Sequence, residues 1–150
     1  MENTAQEQIK LIKPLINICN DGNSGYAELA NEVKDEELKT IFNRFSQQRK
    51  LFAEELNKEL LVLGAEKVDS GTFKGDIHQA WLKIKSIFTS NDEEALIDAC
   101  LTAEYYAAKQ YKDRLTEPNL SSNLRDIIEN QHTMIEGAHE QLSSLAKENA

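Results

Sequence analysis

Apolar residues recur along this chain at spacings of three and four, the interval that lines one face of an α-helix. In the first segment Ile9, Ile12, Leu15, Ile16, Cys19, Tyr26, Leu29, Ala30 and Val33 keep one phase. Two features interrupt it. Pro14 lacks an N–H donor and crowds the carbonyl four residues earlier, so a kink or a helix start is expected near it. Asp21-Gly22-Asn23-Ser24-Gly25 has the composition of a turn. The phase nevertheless carries from Cys19 to Tyr26, which favours one continuous helix with a soft point, where glycines let a neighbouring helix approach closely.

The second segment is the clearest. Asp35 suits an N-cap, with Glu36 and Glu37 at the positive end of the helix dipole. Leu38, Ile41, Phe42, Phe45, Phe52, Leu56, Leu60 and Leu63 follow as one stripe, and Gly64 suits the left-handed position past a helix end. At about 1.5 Å per residue this rod runs on the order of 40 Å. Beyond the polar stretch Ala65–Gly71 lies a shorter amphipathic piece with Phe73, Ile77, Ala80, Trp81, Ile84, Ile87 and Phe88. Ser90-Asn91-Asp92-Glu93-Glu94 reads as a capping-box start, and the stripe Leu96, Ile97, Cys100, Ala103, Ala107, Tyr111, Leu115 runs to a break at Glu117-Pro118-Asn119. The last helix carries Leu124, Ile127, Ile128, Ile135, Ala138, Leu142 and Leu145, with fraying expected from Lys147.

Alternating apolar runs are missing, and only 2 prolines and 6 glycines punctuate the chain, so no strand is expected. The reading is all-α, a single domain over residues 1–150. Its bundle helices fall at about 5–33, 35–64, 91–116 and 120–147, with a crossover helix at about 72–89. Two antiparallel hairpins joined by a helical link are the connectivity of a ferritin-like four-helix bundle. Leu38, Ile41, Phe42 and Leu56 are echoed at identical spacing by Leu124, Ile127, Ile128 and Leu142. Any two amphipathic helices share such phasing, so internal duplication and chance likeness fit it equally.

Composition narrows the function. With 26 acidic against 17 basic residues the net charge is −9, which opposes binding to nucleic acid or an anionic membrane. No run approaches 18 apolar residues, so no membrane span is expected. Met1–Gln6 show no basic region leading into an apolar run, so no signal peptide is expected. Cys19 and Cys100 stand singly among apolar residues, which suits buried, reduced thiols and a cytoplasmic location.

Ferritin-like di-iron sites draw a Glu from each of two helices and Glu-x-x-His from each of the other two. Here Glu136-Gly137-Ala138-His139 has that spacing, His132 lies on the same side, and Glu104 belongs to the preceding helix. At about 100° per residue, Glu104 falls about 40° from its stripe centre and faces inward, His139 lies at the boundary, and Glu136 faces solvent. Glu28 falls opposite the core, and the second helix has no Glu-x-x-His. That helix instead turns Arg49 inward between Phe45 and Phe52. A buried guanidinium needs a counter-charge, so a structural ion pair of Arg49 with Glu104 is expected, with Tyr26, Tyr105 or Tyr111 taking spare hydrogen bonds. A cation there also repels a metal dication. His78 lies off the crossover stripe and reads as a surface residue, and Trp81 reads as a core anchor. No Ser-His-Asp, Cys-His or phosphate-loop arrangement is visible.

Several of these residues carry a resemblance. Asp21-Gly22 followed by Gly25-Tyr26, then Gln48-Arg49, Leu63-Gly64, Ser70-Gly71, His78, Trp81, Asp92-Glu93-Glu94 and Glu104 resemble an uncharacterised family of bacterial ferritin-like four-helix-bundle proteins, catalogued as a domain of unknown function. The resemblance runs over roughly Ile9–Leu145. Where that family usually has a basic residue after the crossover histidine, this chain has Gln79. It implies a fold and no established activity. The expectation is a non-enzymatic protein acting by self-association, as a homodimer, or through a protein partner, in stress physiology, with no cofactor. The alternative is a carboxylate protein binding iron, manganese or zinc through Glu104, Glu136, His139 and His132.

Overall fold

The structure is a computed structural model that describes residues 4–69, 76–88 and 92–149. Five helices and no strand appear among these residues: α1 Thr4–Glu32, α2 Glu36–Val62, α3 Asp76–Phe88, α4 Glu93–Leu115 and α5 Ser122–Asn149. Phe73, Ser70-Gly71, Ser90 and Asn91 lie outside the described residues, as do the side chains of Ile77 and Phe88.

Helix α1 runs unbroken through both Pro14 and the Asp21–Gly25 stretch. The phase of its apolar residues explains why: Leu15, Ile16, Cys19, Tyr26, Leu29 and Ala30 are all buried, and a turn at residues 21–25 would have split that face in two. At its beginning the pattern shifts by one residue. Gln8 is buried while Ile9 is only half-buried.

Asp35 caps α2 as expected, its carboxylate accepting from the backbone N–H of Glu37 at 2.8 Å and of Leu38 at 3.4 Å. At the other end Gly64 takes φ 91°, and the N–H of Ala65 reaches back to the carbonyl of Leu60 at 3.1 Å. A left-handed residue followed by that six-to-one bond closes the helix and satisfies its last carbonyls. For α4 the cap is Asp92, whose carboxylate accepts from Ala95 N–H at 3.1 Å. The start thus falls two residues later than a Ser90 cap would place it. Helix α5 stays helical past Lys147 to Asn149.

The chain divides into two compact units, residues 1–73 with 119–124, and residues 74–118 with 125–150. In the first, α1 and α2 form an antiparallel hairpin across the short link Val33–Asp35. Asn23 lies opposite Ser46, whose hydroxyl donates to its backbone and side-chain oxygens at 2.9 and 2.8 Å. Tyr26 packs on Phe42 and Phe45 with ring centroids 5.7 and 5.3 Å apart. Two side-chain amides hold the loops of this unit. Buried Gln8 donates to the carbonyl of Asn119 at 2.7 Å and accepts from the N–H of Ser121 at 3.0 Å. Buried Asn57 grips Val68 from both sides, donating to its carbonyl at 3.0 Å and accepting from its N–H at 2.9 Å, while Asn20 donates to the same carbonyl at 3.0 Å.

In the second unit α3 packs on α4 and buries Ala80, Trp81 and Ile84. Helices α4 and α5 run antiparallel. Tyr111 donates to Gln131 at 2.6 Å, and further along Arg125 donates to the carbonyls of Leu115 at 2.6 Å and Glu117 at 3.1 Å. A guanidinium on those terminal carbonyls both satisfies them and meets the negative end of the α4 dipole.

Candidate functional site

Among the described residues Arg49 is the largest fully buried side chain, 1% exposed. Its position in α2 follows from helical phase, since it shares the buried face with Phe45, Phe52 and Ala53. What admits so long a side chain is the opposing helix. A methyl group built on Gly22 of α1 comes within 3.1 Å of Arg49 Cγ and 3.4 Å of its Nη1, so the stem crosses α1 where a Cβ is missing. One turn on, the guanidinium carbon lies 5.8 Å from the centre of the Tyr26 ring, within the range of a cation–π contact. Its Nε donates to Gln48 at 3.2 Å. Gly22, Tyr26, Gln48 and Arg49, four residues singled out by the sequence resemblance, therefore converge on one buried positive charge inside the first unit.

Glu104 is also buried, 1% exposed, as its helical angle predicts. It belongs to the second unit and Arg49 to the first. On α4 it lies one turn beyond Cys100, a buried free thiol. Burial pushes that thiol well above its ordinary range, and the nearby Glu104 charge pushes it further, because both disfavour a thiolate. Such a cysteine is unreactive. Cys19 is likewise buried.

Of the tyrosines expected to supply spare hydrogen bonds, Tyr26 lies against Arg49 through its ring face and Tyr111 donates to Gln131. Tyr105 does neither. It is 58% exposed and meets Tyr106 edge-on at 5.5 Å, because its angle on α4 carries it outside the stripe that Ala103, Ala107 and Tyr111 define.

On α5, His132 Nδ1 stands 3.5 Å from Glu136 Oε1, a one-turn pair with Glu136 largely in solvent. His139 is half-buried and Glu28 is exposed. Among the described residues no group of three or more His, Cys, Asp or Glu is arranged to hold a metal ion. His78 is half-buried and Trp81 is buried. No helix among the described residues is long and apolar enough to cross a membrane.

The sequence reading missed the buried amides. Gln8, Asn57 and Gln131 are polar, yet each keeps stripe phase: Gln8 with Ile12, Asn57 with Ala53 and Leu60, Gln131 with Ile128 and Ile135. A polar residue in register with a buried stripe was the available signal, since it must find partners there.

Comparison with known proteins leaves the chemistry open. No curated protein matches the chain. The family described as Domain of unknown function (DUF2383) matches residues 7–117, well over half the length and inclusive of the whole Arg49 cluster and Glu104, and the chain belongs to that family.

Proposed function

We propose that this protein is a non-enzymatic ferritin-like helical bundle, α3 serving as its crossover, that acts by self-association or protein interaction in stress physiology. The observation that carries this reading is the buried guanidinium. In a ferritin-like protein the bundle interior is where carboxylates gather a dication. Here the family-marking residues Gly22, Tyr26 and Gln48 are spent on seating a cation instead. A fixed positive charge raises the electrostatic cost of a metal nearby. Function then falls to the outer surface, where α2 exposes Leu51, Leu61 and Val62.

Elemental analysis of the protein purified without an affinity tag, together with a solution mass measurement, tests this. The expected result is no stoichiometric iron, manganese or zinc and a mass above that of one chain. The alternative, a metal-binding carboxylate protein, draws on the His132–Glu136 pair. Stoichiometric metal that is lost in His139→Ala supports it and overturns the first reading.

A further inference from the structure

Helix α2 buries one apolar face in the hairpin and carries three further large apolar side chains on its outer side. The buried stripe runs from Leu38 to Leu60. On the opposite side Leu51 is 61% exposed, Leu61 57% and Val62 81%. Leu51 and Val62 are eleven residues apart, which places them within about 20° of each other around the helix axis. Three large aliphatic side chains on the outer side of one helix thus stand mostly in solvent. Between them on the same side stand exposed Glu54, Glu55 and Lys58.

We propose that this face is a self-complementary surface on which a second copy of the chain docks, α2 against α2 and antiparallel. The inference rests on the self-association reading and names its surface. The argument is the order of the residues. A two-fold axis crossing α2 midway between Glu55 and Lys58 sets Leu51 of one copy against Val62 of the other, with Leu61 about 100° farther round the helix at the edge of the contact. The same axis sets Glu55 against Lys58, with Glu54 next to that pair. Symmetry forms each contact twice, so two apolar clusters flank two sets of opposite charges. A parallel, in-register pair instead faces Glu with Glu and Lys with Lys, and like charges across an interface oppose association. The patch from Leu51 to Val62 is about 16 Å long. That is shorter than the extent of a standard interface, so the pair is a concentration-dependent dimer.

Sedimentation of the full chain from micromolar to millimolar concentration tests this, with circular dichroism confirming that each variant is folded. Wild type is expected to pass from monomer to dimer across that range. Leu51→Glu combined with Val62→Glu is expected to sediment as a monomer throughout. Lys58→Glu places acid against acid at both symmetric positions and is expected to weaken the dimer about tenfold or more. Adding Glu54→Lys and Glu55→Lys to Lys58→Glu restores opposite charges and is expected to recover dimerisation, a rescue that a partner other than a second copy does not predict. A dimer that survives the Leu51/Val62 substitutions, or a charge swap without recovery, overturns this surface and leaves self-association standing. A wild type that stays monomeric to millimolar concentration overturns both.

Discussion

Arg49 carries a full charge to a place where 1% of its surface meets solvent, and the side chains around it are arranged to make that tolerable. Gln48 takes one of its donors and the Tyr26 ring lies under the guanidinium. Truncating either end of an established buried ion pair costs about 3–5 kcal/mol. Arg49→Met should therefore lower the urea unfolding free energy by roughly that amount if its charge is compensated by a buried carboxylate. The sequence-based expectation that Glu104 supplies that carboxylate is decided by a double variant. Arg49→Met with Glu104→Leu should recover much of the loss, and no recovery means that Arg49 answers to another group. At this scale the sequence was legible wherever helical angle alone sets exposure. Arg49 and Glu104 inward, and Glu136 and Glu28 outward, all follow from phase. It was illegible where a polar side chain's partner lies far along the chain, as with Gln8 and Asn119, because spacing within one helix says nothing about the loop that will meet it.

Among the helices, two mid-helix glycines separate propensity from packing. Gly137 of α5 has nothing within 4 Å of the position a Cβ would take. Gly137→Ala should therefore stabilise by about 1 kcal/mol, the usual difference in helix propensity. Gly22 has the same propensity to gain, but its new methyl meets the Arg49 stem at 3.1 Å. Gly22→Ala should consequently fall short of Gly137→Ala by about 1 kcal/mol or more, and thermal melts of the two single variants measure the difference. The end of α2 offers a third test. Asn57→Ala removes both hydrogen bonds to Val68, so it should cost about 1–3 kcal/mol and speed hydrogen exchange at the Val68 amide. The caps at Asp35 and Gly64 were readable because each needs one residue type at one place. At the start of α4 the sequence offers both Ser90 and Asp92 as caps, and Asp92 accepts from Ala95 in the folded chain.

For the molecule as a whole, the buried thiol of Cys100 ties stability to alkaline pH. Its affinity for a proton is higher in the folded state than in the unfolded one. The unfolded chain therefore releases that proton first, once pH passes the ordinary thiol range near about 8.5. Stability from this group is complete below that pH and falls as pH rises above it. Urea midpoints compared at neutral and at alkaline pH should show the decline, and Cys100→Ala should flatten it relative to wild type. The all-helical class was legible from periodicity across the whole length. The division into two compact units was not, because stripes show which face of each helix is covered and leave open which helix covers it.

The crossing of Arg49 over Gly22 also constrains descent. A side chain that grows at position 22 presses on the stem of the one at position 49, which must give by a few tenths of an ångström to admit even a methyl. Loss of the arginine first leaves a void that a larger residue can later fill, whereas growth at the glycine first meets an occupied site. Residues larger than alanine at position 22 are therefore expected to be tolerated better once position 49 carries a smaller side chain.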